Sequence, residues 1–178
     1  GNAEGTAISA DQGTGKLYGI ENIIGSNLVK DEIAGNSSVN ILSGLVGDDT
    51  IYGQSGADTI YGGADNDELH GGADADSIEG GAGNDIIFGD AGDDILKGDA
   101  GNDTFVTSTG DDTIDGGADS DTVDYSSATG PLNVTLVSGS ATITINGTDT
   151  LTNIENLTGT SANDSITGDS NNNTLIGN

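Results

Sequence analysis

Gly80-Gly81-Ala82-Gly83-Asn84-Asp85-Ile86-Ile87-Phe88 is one of nine consecutive nonapeptides that run from Gly44 to Asp124 without insertion or deletion. The first position is Gly44, Gly53, Gly62, Gly71, Gly80, Gly89, Gly98 and Gly116, with Thr107 the single exception. The sixth is always Asp: Asp49, Asp58, Asp67, Asp76, Asp85, Asp94, Asp103, Asp112 and Asp121. The eighth is always apolar: Ile51, Ile60, Leu69, Ile78, Ile87, Leu96, Phe105, Ile114 and Val123. A disordered chain scatters Gly and Asp without phase, whereas a fixed period marks stacked repeating units. Three residues of each unit, centred on the apolar one, have strand character, and the six before them are rich in residues that accept positive φ. A short strand and a turn, repeated, predict a coil made only of β-strands.

The composition around this array is one-sided. The 178 residues include 30 Asp or Glu against three cations, Lys16, Lys30 and Lys97, for a net charge of −27. Such a charge excludes nucleic acid and anionic membrane as partners. Cys, Met and Trp are absent, aromatic residues are 3% and apolar residues 32%. A conventional core of large side chains cannot be assembled from this. Without thiolates, stability must come from repetition or from hard cations held by oxygen. No apolar run is long enough to span a bilayer, and Gly1 opens no basic and apolar leader. The pattern stops part-way at Gly177-Asn178, so the chain reads as a piece of a longer protein.

In phase, the units spell G-G-x-G-x-D-x-U-x, which resembles the calcium-binding repeat of the RTX (repeats-in-toxin, hemolysin-type) family. The resemblance covers about half of the chain strongly, with weaker copies on both sides, upstream at Asp31 and Ile33 and at Asn40 and Leu42. It implies an all-β, right-handed parallel β-roll in which two nonapeptides complete one turn. Residues eighteen apart would then stack, about 4.8 Å apart along the axis. The eighth-position side chains would meet inside as a thin core. One edge would carry Asp31, Asp49, Asp67, Asp85, Asp103 and Asp121, and the other Asn40, Asp58, Asp76, Asp94 and Asp112.

Stacked carboxylates repel by roughly 3–4 kcal/mol per neighbouring pair at an effective dielectric of about 20. Three lysines cannot neutralise them, and a divalent ion between turns can. The flexible oxygen-rich loops suit calcium better than magnesium. The resemblance further implies that carbonyls of the first four turn positions complete each shell. These include Gly63, Gly72, Gly81, Asp90, Asp99 and Gly117 at the second position. At the fourth they are Gly47, Gly56, Asp65, Asp74, Gly83, Gly92, Gly101, Gly110 and Asp119. Asp65, Asp74 and Asp119 depart from the Gly of the repeat, either because Asp tolerates positive φ or as extra carboxylates near an ion. Adjacent Asp–Asp steps number four on one edge and three on the other, which predicts about seven well-formed Ca2+ sites with partial ones at the ends. Binding and folding are expected to be coupled, with acid acting like chelator.

The organisation expected along the chain is a preceding connector or cap over residues 1–24, the roll over 25–124, a β connector over 125–158 and the start of a second block at 159–178. The connector alternates at Leu132, Val134, Leu136, Ile143 and Ile145, with turn signals at Gly139 and Asn146-Gly147, and predicts two strands, either a hairpin or wider irregular coils that continue the solenoid, whose role is to cap the roll. Ile154-Glu155-Asn156-Leu157-Thr158-Gly159 echoes Ile20-Glu21-Asn22-Ile23-Ile24-Gly25, as if one block followed another. Lys97 is expected to bridge Glu79 and Asp115, its neighbours eighteen residues away, and His70 to lie on the surface. No nucleophile–base pair stands out. The reading is therefore a non-enzymatic, calcium-responsive scaffold of a large secreted bacterial protein, such as an adhesin or surface-layer protein. Its partners would be calcium and neighbouring RTX blocks, with a surface polysaccharide or a self-assembly partner left open. The alternative is the calcium-dependent folding and secretion module of a secreted protease, lipase or polysaccharide-modifying enzyme.

Overall fold

The computed structural model describes residues 6–8, 16–17, 22–27 and 30–178. Most of the expected 1–24 connector, with Ile20 and Glu21 of the echo, lies outside them. Every element named among the described residues is a β-strand. From Glu32 to Asp124 successive strands alternate between two sheets, and each pairs in parallel with the strand eighteen residues on, as in Glu32↔Thr50, Thr50↔Glu68, Glu68↔Ile86, Ile86↔Thr104 and Thr104↔Thr122. This is the stacked β-solenoid that a two-nonapeptide turn demands.

The inward residues are those the period selects. Leu42, Ile51, Ile60, Leu69, Ile78, Ile87, Leu96, Phe105, Ile114 and Val123 are buried in one continuous core. Each sits between two outward residues, because side chains alternate across a strand. On the outer face of one sheet the rings of Tyr52, His70 and Phe88 stack, with centroids 4.7 and 4.2 Å apart. They turn their faces onto one another rather than outward. Lys97 is paired by register with Glu79 and Asp115, yet no ion pair joins them. Asp115 instead accepts from Asn153 Nδ2 at 2.8 Å.

Most repeat strands are six residues long rather than three. Thr50–Ser55, Glu68–Ala73 and Ser77–Ala82 run on through the first, second and third positions of the next unit. Their ladders continue around the corner, as in Gln54↔Gly72 and Asp99↔Gly81. The corner needs positive φ at the second and fourth positions, which Gly63, Gly72 and Gly83 supply without strain and Leu45 and Gln54, at 82° and 84°, do not. Asp65, Asp74 and Asp119 also adopt it, at 79°, 80° and 83°. The Asp74 carboxylate then accepts the Gly56 N–H at 3.0 Å.

Beyond Asp124 the chain leaves the coil and returns earlier than the sequence pattern suggests. Reading the nonapeptides restarts them at Gly159, but strand Thr148–Thr152 already pairs in parallel with Thr113–Ala118, and Asn156–Thr158 with Thr122–Asp124. Between them, Asn133–Thr135 and Ala141–Thr144 are the two expected connector strands. Ala141–Thr144 pairs antiparallel with Thr148–Thr152 through the Asn146-Gly147 turn and ends that sheet. Asn133–Thr135 pairs instead with Ser165–Thr167 in a small third sheet. The other long sheet passes straight through the junction, from Thr122–Asp124 to Asn156–Thr158 to Thr174–Ile176. Leu132, Val134, Leu136, Ile143, Leu151, Ile154 and Leu157 join the same core.

Candidate metal centre

The two predicted Asp columns are present, one at the entry to each sheet, and every member from Asp31 to Asp121 is buried. Within a column one carboxylate oxygen is committed to the backbone. Asp49, Asp67, Asp85 and Asp103 N–H groups donate to the Oδ1 of the Asp eighteen residues on at 2.8, 2.8, 2.8 and 2.9 Å. On the other edge Asn40, Asp58, Asp76 and Asp94 do the same at 2.7, 2.7, 2.8 and 3.0 Å. The second oxygen is left over. Oδ2 of Asp49, Asp58, Asp67, Asp76, Asp85, Asp94, Asp103 and Asp121 is buried with no hydrogen-bond partner. A buried carboxylate oxygen without a donor is costly, so eight in register require a partner of another kind.

The shape of the cell around each Oδ2 names that partner. A Cβ placed on Gly98 would fall on Asp103 Oδ2 and on the carbonyl oxygen of Gly116, one turn on. Gly71 meets Asp76 Oδ2 and the Gly89 carbonyl in the same way. The first-position glycine thus leaves open a volume flanked by a carboxylate and a carbonyl, with oxygen on each side. Among the described residues no three His, Cys, Asp or Glu side chains converge. An ion held here takes much of its shell from main-chain carbonyls, an oxygen-only set of the kind hard divalent cations accept and calcium tolerates irregularly. The residues present therefore fit calcium.

Electrostatics agree. Burial, partly opposed by the ladder N–H and reinforced by neighbouring carboxylates, pushes Asp67, Asp112 and Asp121 up to about 7. It pushes Asp49, Asp58, Asp76, Asp85 and Asp94 up to about 6. Carboxylates so raised, chiefly by burial, carry charge that the chain offsets only at the end of one column, where Lys30 acts on Asp49.

A model of the RTX calcium-binding nonapeptide repeat, four copies long, matches residues 34–69, 62–96, 70–105, 97–127 and 149–178. The chain belongs to the RTX calcium-binding repeat family. No curated protein matches it. RTX repeats are typical of secreted bacterial proteins, and the chain is accordingly a calcium-binding repeat module. Between the last two matches residues 128–148 are left out, which covers the excursion, and the last match opens at Asp149, within the strand Thr148–Thr152 where the coil resumes.

The geometry distinguishes among the residues singled out from the RTX repeat. The second- and fourth-position residues sit at the corners, and carbonyls of Gly63, Gly83, Gly92 and Asp99 abut the same position one turn on. Beside Gly44, Gly53, Gly62, Gly71, Gly80 and Gly98, however, the orphaned Oδ2 shares its cell with the first-position carbonyl one turn on. Thr107 departs from this arrangement: the three atoms that a Cβ on Gly89 would meet first all belong to Asp94, and the Thr107 hydroxyl donates to the Asp124 carbonyl at 3.1 Å. Two column members were missed in the sequence. Asp112 N–H donates to Asp149 Oδ1 at 3.1 Å, and Asp121 N–H to Glu155 Oε2 at 3.0 Å. Asp149 had a legible signal, since Gly147-Thr148-Asp149-Thr150-Leu151 reads as positions four to eight. Glu155 had none, because it follows Asp149 by six residues rather than nine.

Proposed function

We propose that this RTX module is a non-enzymatic scaffold that folds around calcium outside the cell and serves as a stiff spacer. The observation that carries this reading is the pair of columns of buried, unpartnered Oδ2 atoms, most of them sharing a cell with a first-position carbonyl one turn on. Calcium ions between successive turns would take Oδ2 of the position-six Asp and corner carbonyls, about seven ions by the four and three Asp–Asp steps of the sequence. With cytosolic calcium low the columns repel and the chain stays open for export. At the millimolar calcium outside, sites in the extracellular affinity range of about 10⁻⁴–10⁻³ M fill and the roll closes. The sheet that runs unbroken from Thr122–Asp124 into Thr174–Ile176 favours stiffness over a hinge at the junction.

Circular dichroism and small-angle scattering at neutral pH test this directly. Millimolar calcium should give β signal and an elongated rigid particle, chelator a coil, and magnesium at equal concentration no rescue. A compact β-rich state in excess chelator at low salt, or turnover of a substrate by this chain alone, would overturn the reading.

A further inference from the structure

We propose that Asp121, Glu155 and the main-chain carbonyl of Asn153 form a calcium site at the junction, which ties the coil after the excursion onto the end of the nonapeptide array. The inference rests on the calcium reading above and extends it to residues outside the repeat. Where the column should need Gly at the first position of a following turn, the chain has already departed from the nonapeptide pattern. The cell is nevertheless rebuilt. A Cβ on Gly116 would fall on Asp121 Oδ2 and on the Asn153 carbonyl, as one on Gly98 would fall on Asp103 Oδ2 and the Gly116 carbonyl. Asp121 is fully buried and its Oδ2 has no partner.

Glu155 fills the place of the next Asp. Asp121 N–H donates to Glu155 Oε2 at 3.0 Å, matching the 2.9 Å from Asp103 N–H to Asp121 Oδ1. The short step from Asp149 to Glu155 leaves a truncated turn, and the extra methylene of Glu makes up the reach. The charges of Asp103, Glu155 and Asp119 all bear on Asp121, and no cationic side chain is among the groups that do. The opposite edge at the same level is closed differently. There Tyr125 donates its hydroxyl to Asp149 Oδ2 at 2.9 Å, so a proton donor already stands where a cation would. One edge of the junction calls for an ion and the other does not.

The test counts calcium on the full chain by native mass spectrometry at saturating calcium, wild type against Glu155→Gln, which keeps the acceptor and removes the charge. The variant should carry one ion fewer and lose hydrogen-exchange protection over 125–147, while the array from 44 to 112 exchanges as before. An unchanged ion count overturns the junction site, whereas a wild type that binds no calcium overturns the calcium reading itself. Should the variant fail to fold, wild-type crystals grown with terbium decide the matter. Anomalous density between Asp121 and Glu155 supports the site, and density along the array with none there overturns it.

Discussion

Asp85 divides its carboxylate between two tasks. Oδ1 accepts the Asp67 N–H at 2.8 Å, and Oδ2 faces the open cell without a partner. Substitution can separate the two. Asp85→Ala removes both and should lower calcium stoichiometry by about two, because an interior ligand faces an ion above and one below. It also orphans the Asp67 N–H, a further loss of about 1–3 kcal/mol. Asp85→Asn keeps an acceptor for that N–H and should lose the ions alone. The sign of its effect should then depend on the medium: calorimetry should find Asp85→Asn less stable than wild type in calcium, whereas in chelator, where wild type is a coil, circular dichroism should find the variant no less structured, since it removes one repelling charge. Asp31→Ala, at the end of its column, should lose few or no ions, its cost in stability being the hydrogen bond that Asp31 accepts from the Ser26 N–H. Equal ion losses at Asp31 and Asp85 would contradict the column.

Elements decide how the array ends. A parallel coil has an open edge at its last turn, and an unpaired edge invites association. Ala141–Thr144 covers one such edge by folding back antiparallel on Thr148–Thr152. Tyr125 fixes the start of this excursion, its N–H on the Thr158 carbonyl at 2.9 Å and its hydroxyl on Asp149. Burial, then the Asp149 charge, pushes that hydroxyl upward, so it stays a donor throughout the working pH range. Tyr125→Phe would leave Asp149 Oδ2 buried and unpaired. It should cost about 1–3 kcal/mol in a urea titration at saturating calcium, with the ion count unchanged. A loss within error would show that water or another donor serves Asp149 equally well.

For the whole molecule, pH should act in opposite directions with and without metal. The column carboxylates have folded values raised to about 6–7, above an unfolded value near 3.8. A raised acid binds protons more tightly in the folded state, so the metal-free roll is least stable above about pH 7 and gains stability as pH falls toward about 4. In chelator, acidification from about pH 8 to about pH 4.5 should therefore increase β signal. In calcium the same step should release ions, since a protonated carboxylate is a poor ligand. The expectation that acid mimics chelator thus holds for the ions and reverses for the fold. A metal-free chain that stays a coil at both pH values would refute it.

The period of nine by itself determined a coil of short strands with an apolar residue and an Asp at fixed places in each unit, and the resemblance to the RTX repeat supplied the two-nonapeptide turn that sorts the Asp into two columns, because every contact in a solenoid is with a residue at fixed separation. Ile87 meets Leu69 and Phe105 for the same reason that Asp85 meets Asp67 and Asp103. Two features were not legible there. Which oxygens stand unpaired depends on backbone geometry, and only the folded corner shows Oδ1 bound to an N–H with Oδ2 beside a first-position carbonyl. The pairing at the junction was also hidden, although Asp149 itself sits in a legible repeat: Asp149 stacks on Asp112 across 37 residues and Glu155 on Asp121 across 34, separations set by an irregular excursion rather than by a repeat. Periodicity fixes partners only where the spacing is constant. Where it changes, the hydrophobic packing of Leu132, Val134 and Ile143 against the roll decides which strand returns to which edge.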